Sequence, residues 1–299
     1  MELRHLRCLI AVAKEGHITR AAEQLGIAQP ALSRLIKTIE QDIKVQLFRR
    51  VPRGVEVTDA GRTFLDAAHA TFANLDRALE AARRTARGEE GRISVAYTSG
   101  IAFHPLVPRV IREFRETFPR VTVTLAEGSP TSLMESIESD RLDAAFLFMN
   151  LAKLGGLVFH PLLQEPWVVA LPKGHALART QAVLLKALSG ETFVVNRRSG
   201  TWRDSVVAAC RAAGFSPRIG QEAPNVMATL PLVAAGIGIF IVPASLQHMH
   251  VQGVVYRRLT GGTSLKTTLN LAARRGDTSA VVRQFVSLAR RRAKNYPGK

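Results

Sequence analysis

The chain has 299 residues, 46% hydrophobic and 22% charged, with 41 Lys/Arg against 24 Asp/Glu and a net charge of +17. Such a length suits two or three domains with a substantial core, and no apolar run approaches the ~18 residues of a membrane-spanning helix. Two cysteines, Cys8 and Cys210, speak against a disulfide framework, and an opening segment carrying Glu2, Lys14 and Glu15 without a small-residue cleavage site speaks against an export signal, so the expected compartment is the cytoplasm.

The positive balance favours a polyanionic partner. Its distribution does not locate the contact: residues 1–91 hold 15 Lys/Arg and 12 Asp/Glu, residues 92–299 hold 26 and 12.

In chain order, Leu3, Leu6, Leu9, Ile10 and Ala13 recur at helical spacing and predict a first helix. Ile18, Ala21, Ala22 and Leu25 make one apolar stripe of a second, with Thr19 as a candidate cap and Gly26 as its stop. A third helix follows, with Pro30 in its tolerant first turn. Ala31, Leu32, Leu35, Ile36 and Ile39 take one arc of it; Gln29, Pro30, Ser33, Arg34 and Lys37 take the other. Arg pairs with guanine, Gln with adenine, and Ser and Lys suit base edges or phosphates, so the polar arc predicts a recognition helix behind a glycine turn. Any one of these side chains alone would be read as a solvated helix face.

Residues 45–58 (VQLFRRVPRGVEVT) place Pro52-Arg53-Gly54 between strand-like pieces, predicting a wing. Arg53 is its groove or phosphate contact, and Arg49 and Arg50 are backbone-contact candidates. Thr58 then caps a long helix to about residue 87. Phe64, Ala68, Phe72, Leu75, Leu79 and Ala82 form its seam, which predicts pairing with a second chain; packing on the chain's own later domain is the alternative. Residues 86–92 (ARGEEGR) mark a hinge.

The stretch RAAEQLGIAQPALSRLIKTIEQDIKVQLFRRVPRGVEVTDAGRTFL resembles, over its whole length, the N-terminal domain of LysR-type transcriptional regulators. The AQPALSR and LF-x-R…T-x-AG features carry the resemblance. Ala28 stands where the family usually has Ser or Thr, which removes the usual cap of the recognition helix. Ile43-Lys44 stands near the family's Leu-Gly, a departure taken as neutral.

From Arg92 strands and helices alternate, predicting parallel-type sheets in two lobes with a cleft between them. Anions bind where strands end and helix N-termini begin. Four loops meet that description: Thr98-Ser99-Gly100, Ser129-Pro130-Thr131, Phe148-Met149-Asn150 and Asn196-Arg197-Arg198-Ser199. The hydroxyls of Thr98 and Ser129 can hydrogen-bond a carboxylate and Arg197 or Arg198 can pair with one; capping hydroxyls and solvated arginines are the alternative. LVAAGIGIFIVPASL is similar to the family's effector-domain signature. On that resemblance Thr98 and Ser129 match the two positions that hold an effector carboxylate, whereas Phe148 falls where some relatives have Arg.

Other motifs carry no chemistry. Gly236-x-Gly238 lacks the third glycine of a phosphate loop, and His248-x-His250 lacks a local carboxylate or cysteine partner. Cys210 has no second cysteine nearby and reads as core, and the basic run 289–295 (ARRRAKN) reads as a solvated helix end. A solute-binding transport protein and an enzyme are the rival classes; the first 58 residues argue against the former, and the lack of a nucleophile–base pair, metal cluster or cofactor loop against the latter.

The sequence thus predicts an α/β chain: a winged helix-turn-helix over 1–58, a linker and dimerisation helix over 59–91, and a two-lobed domain over 92–299, which the resemblance implies is a periplasmic-binding-protein-like effector domain. Lobe I is expected at about 92–161 and 267–299, lobe II at about 162–266. The resemblance implies a homodimer through the linker helix, a homotetramer, a double-stranded DNA operator, contact with RNA polymerase and no cofactor beyond a small effector. The expected DNA contacts are Gln29, Pro30, Ser33, Arg34, Lys37, Arg49, Arg50 and Arg53. The expected effector contacts are Thr98, Ser99, Ser129, Phe148, Asn196 and Arg197.

Overall fold

The computed structural model describes residues 1–149, 153–196, 200–261 and 266–296. Arg197, Arg198, Ser199 and Asn150, each named above in a candidate loop, lie outside them. The chain forms two compact units, Met1–Arg83 and Arg84–Lys299.

In the first unit, α1 (Leu3–Glu15), α2 (Ile18–Leu25) and α3 (Gln29–Ile43) pack around Leu9, Val12, Ala21, Ala22, Leu32, Ile36 and Ile39. The strands β1 (Phe48–Val51) and β2 (Gly54–Val57) form an antiparallel hairpin, and α4 (Asp59–Arg87) follows. Gly26 ends α2 in the left-handed conformation. The cap of α2, however, is His17 and not Thr19: the His17 imidazole accepts a hydrogen bond from the Thr19 amide at 3.3 Å. Thr58 caps α4 as expected, its Oγ1 accepting from the Gly61 amide at 2.9 Å.

Lys44 ends α3 at φ 55°, ψ 31°, so the departure at Ile43-Lys44 is not neutral. A side chain held in the left-handed region costs about 1 kcal/mol relative to glycine. Lys44→Gly is therefore expected to stabilise α3 by about 1 kcal/mol, read as slower amide hydrogen exchange along α3; faster exchange would show that the lysine is not strained.

In the second unit the order is β3 (Glu90–Thr98), α5 (Leu106–Thr117), β4 (Arg120–Gly128), α6 (Pro130–Glu138), β5 (Ala144–Phe148), β6 (Lys153–Leu154) and β7 (Leu157–Pro172). Then come β8 (Ala182–Leu184), β9 (Thr192–Asn196), α7 (Gly200–Ala212), β10 (Arg218–Ala223), α8 (Val226–Ala234) and β11 (Phe240–Pro243). The chain closes with β12 (Val254–Thr260), β13 (Lys266–Arg274) and α9 (Ala280–Lys294).

The strands β4-β3-β5-β13-β7-β12-β8 are joined in one path, while β9 and β10 pair in parallel. β3 is parallel to β4 and β5, as the alternation predicts. The sheets are mixed, however: β13 runs antiparallel to β5 and β7, and β11 and β12 run antiparallel to β7. A strand that returns between the lobes arrives from the opposite end, which a local βα pattern does not reveal.

β7 supplies both lobes. Leu162 and Leu163 join the core under α5 and α9, which includes Phe114, Phe146 and Phe285. Trp167, Val169 and Leu171 join the second core, with Phe193, Cys210 and Ile241. Gly238 lets the chain close on β9, because a Cβ there would stand 2.4 Å from the Thr192 carbonyl oxygen. Gly238 thus serves packing, and Gly236, at φ 78° with open space around it, serves the turn after α8. Among the described residues no helix is long and apolar enough to cross a membrane.

Candidate nucleic-acid interface and ligand cleft

The polar arc of α3 is open. Gln29, Pro30, Arg34 and Lys37 are exposed and Ser33 is half-buried, opposite the buried Leu32, Ile36 and Ile39. Ala31, assigned to the apolar arc by spacing, is exposed as well; at the first turn the core does not yet reach that face. Ala28 is the N-cap residue and offers no side-chain hydrogen bond, so the amides of the first turn of α3 lack that partner. Pro30 carries no N–H and the Ala31 amide donates to the Ala28 carbonyl at 3.0 Å, which leaves the Gln29 amide for a phosphate.

The wing is anchored at both ends. Glu40, a residue that sequence reasoning missed, accepts from the Leu47 and Phe48 amides at 2.8 and 3.0 Å, tying the end of α3 to β1. The Val55 amide donates to the Gly16 carbonyl at 2.9 Å, tying β2 to the end of α1. Arg53 and Arg50 are exposed. Arg49 is exposed but held across the hairpin, its Nε and Nη2 donating to Glu56 at 2.9 and 2.6 Å. A surface pair of this kind is worth at most about 1 kcal/mol, so a phosphate competes for Arg49 easily.

Along α4 the seam is covered only at its beginning. Ala68 is buried and Phe64, Phe72 and Leu75 are half-buried, but Leu79 is 48% exposed and Ala82 is exposed.

In the second unit, the ends of β3, β4, β5 and β9 meet in a cleft of about 730 Å³ that includes its open mouth. It brings together Thr98, Ser99, Ser129, Phe148 and Asn196. The register explains part of this: Thr98 at the end of β3 lies opposite Gly128 at the end of β4, and Ser129 follows directly. Ser129 Oγ accepts from the Ser132 amide at 3.2 Å as the cap of α6. Capping uses a lone pair, so its hydroxyl hydrogen remains free to donate to a ligand.

Sequence reasoning missed Glu127, Asn225 and Leu246, which also line the cleft. Asn225 was detectable, as a cap residue set immediately before an apolar helix; its Oδ1 accepts from the Ala228 amide at 2.9 Å. The N-terminal ends of α6 and α8 thus both open on the cleft, and their free N–H groups favour an anion. Glu127 is the one charged residue among the described lining residues. No lining cation offsets it among the described residues, so what the cleft offers an anion is helix N-termini and hydroxyl donors.

Behind it lies a buried polar network. His104 Nδ1 accepts from the Leu106 amide at 3.0 Å, which leaves its hydrogen on Nε2, donated to Glu165 Oε1 at 2.5 Å. Glu165 Oε2 accepts from the Ser245 amide at 3.1 Å. The network joins the start of α5, the strand β7 and the turn after β11. Cys210 is fully buried, and burial pushes its thiol up to about 11, which keeps it protonated and unreactive at neutral pH. His248 and His250 lie on the surface, and no cluster of three metal-ligating side chains is present among the described residues.

Two family models match the chain: the bacterial regulatory helix-turn-helix protein, lysR family, over residues 3–62, and the LysR substrate binding domain over residues 86–294. The HTH-type transcriptional regulator AlsR of Bacillus subtilis (strain 168) is 33% identical over 97% of this chain and 95% of its own length. BudR of Raoultella terrigena, also an HTH-type transcriptional regulator, is 33% identical over 96% of this chain and 100% of its own. Among solved structures, full-length CbnR complexed with its target DNA superposes with a TM-score of 0.82 at 28% identity, covering 98% of this chain and 100% of that one.

Proposed function

Because the chain belongs to the LysR family of bacterial helix-turn-helix regulators and is a DNA-binding transcriptional regulator, not an enzyme, we propose that α3 reads an operator and that a small organic anion in the cleft modulates that binding. Gln29, Pro30, Ser33, Arg34 and Lys37 face base edges in the major groove. Arg49, Arg50 and Arg53 hold the flanking backbone or minor groove from the wing. The observation that carries this reading is the exposure of Arg34 and Lys37 on the arc opposite Leu32, Ile36 and Ile39.

A mobility-shift assay on the DNA upstream of the chain's own gene tests it. Arg34→Ala is expected to narrow the gap between operator and random DNA by about 1–3 kcal/mol per lost bidentate pair. An unchanged ratio at fixed salt would remove Arg34 from base readout.

The effector is an anion, and a carboxylate suits the donors. Thr98, Ser99, Ser129 and Asn196 hold it, with Arg197, beyond the described residues, as an ion-pair partner; Phe148 packs on its apolar body. In a thermal-shift screen, small carboxylates are expected to raise the melting temperature while their neutral amides do not; stabilisation by the amides alone would sink the assignment.

The uncovered seam at Leu79 and Ala82 supports pairing of α4 with the same helix of a second chain. Assembly of such dimers into a homotetramer, contact with RNA polymerase and action in the cytoplasm complete the reading. Effector closing the lobes alters how the assembly bends its operator.

A further inference from the structure

Sequence alone makes residues 289–295 a solvated helix end, but the structure gives that end a groove. Between α9 and the strands β7 and β13 lies a depression of about 1130 Å³. Arg283, Arg290, Arg291 and Lys294 line it from α9, and all four are exposed. Their spacing of seven, eight and eleven residues from Arg283 sets them along one face over about 16 Å.

The neighbouring acids are already engaged. Asp277, the one carboxylate among the described lining residues, is held by Arg274 at 2.9 Å. Arg274 also takes Asp140 and Asp143 at 3.1 and 3.2 Å. Glu113, which feels Arg291, is clamped by Arg292. His160 in the groove is driven below its ordinary value by burial first and by Arg290 second, so it is neutral near pH 7. Among the described residues, four cations therefore face solvent without a carboxylate partner, Arg283 donating to the Thr278 carbonyl.

The floor presents one partly exposed apolar side chain, the half-buried Val286, set beside Ala273 and Val282, which are already buried in the core. Solvated phosphates satisfy cations but leave Val286 and the aliphatic stems of the basic side chains wet. Carboxylates on an amphipathic backbone satisfy the cations and cover the floor together.

We propose that the α9 groove docks an acidic, partly apolar segment of a partner protein. The groove shares no lining residue with the cleft and belongs to a different unit of the chain from α3. Arg283, Arg290, Arg291 and Lys294 act as the charged rim, and Val286 as the central apolar contact.

Fluorescence anisotropy on the full-length protein tests it, with a short labelled peptide of glutamates carrying leucines at helical spacing as the probe. The double variant Arg290→Glu, Lys294→Glu is expected to bind the peptide roughly tenfold more weakly or worse. Its operator affinity should stay within about twofold of wild type, and exchange protection in β3, β5 and β13 should match wild type, which reports an intact second unit. A peptide with serines in place of the leucines should bind wild-type protein several-fold more weakly. Equal peptide affinity of variant and wild type, or equal affinity for the serine peptide, would overturn the proposal. So would a larger loss of random-duplex affinity than of peptide affinity in the variant, which would make the groove a nucleic-acid surface.

Discussion

Gly61→Ala is expected to dismantle the DNA-binding unit, at a cost of about 3 kcal/mol or more. A Cβ on residue 61 would stand 2.1 Å from the Leu47 carbonyl oxygen, 2.9 Å from its carbon and 3.0 Å from Val57 Cγ1. Such a contact is relieved cheaply only when the neighbour is the end of a flexible side chain. Here it is backbone, and the same Leu47 oxygen accepts from the Thr58 amide at 2.9 Å and the Thr58 hydroxyl at 3.2 Å. Moving it away breaks the cap of α4 and shifts the strand that Glu40 anchors. The expected readout is loss of operator binding and of exchange protection across α1–α3, with protection in β3, β5 and β13 unchanged. Wild-type protection in α1–α3 would show that the two segments can separate without cost.

Glu165→Ala is the second large effect, expected to destabilise the effector unit by about 3 kcal/mol or more. The glutamate is 7% exposed and His104 is 2% exposed. Its two oxygens accept the His104 Nε2–H at 2.5 Å and the Ser245 amide at 3.1 Å. Truncation strands both donors away from water, each costing about 1–3 kcal/mol, and leaves a void beside them. Glu165→Gln preserves one good acceptor and is expected to lose about half as much. Chemical denaturation followed by the fluorescence of Trp167 and Trp202 measures both; a loss under about 1 kcal/mol for the alanine variant would mean that water enters and replaces the carboxylate.

The helices of the first unit were legible because each buries one stripe at a 3.6-residue period, and Leu32, Ile36 and Ile39 do lie in the core. The buried runs of β5, β9 and β11 were legible for the simpler reason that both their faces are covered. Less visible were elements whose partners are remote. β10 (RIGQEA) has little apolar character and owes its existence to pairing with β9. The first half of β7 carries Pro161 and polar residues at His160 and Gln164, and is a strand because β13 pairs along it.

At the site, five effector candidates converged because all were chosen as strand-end loop residues: Thr98, Ser99, Ser129 and Phe148 end or follow neighbouring strands of one sheet, and Asn196 ends β9 of the other. What escaped was chemistry that only tertiary contact creates. Glu40 reaches the Leu47 amide seven residues away, and Glu165 reaches the Ser245 amide across 80 residues. His17 and His175 each cap a helix through Nδ1, a role that sequence rules assign first to Ser, Thr, Asp and Asn.

The strand β7 runs unbroken for 16 residues and is shared by both halves of the effector unit. It is hydrogen-bonded to β13 through 157–166 and to β12 through 168–172. A loop joint would swivel almost freely; a ribbon stitched to its neighbours flexes like a leaf spring, spreading distortion thinly over many peptide groups. A ligand that draws the halves together must load that spring, and its departure lets them recoil. If an effector closes the lobes as proposed, the stiffness of the ribbon sets the extent of that closure as much as the grip of the ligand does.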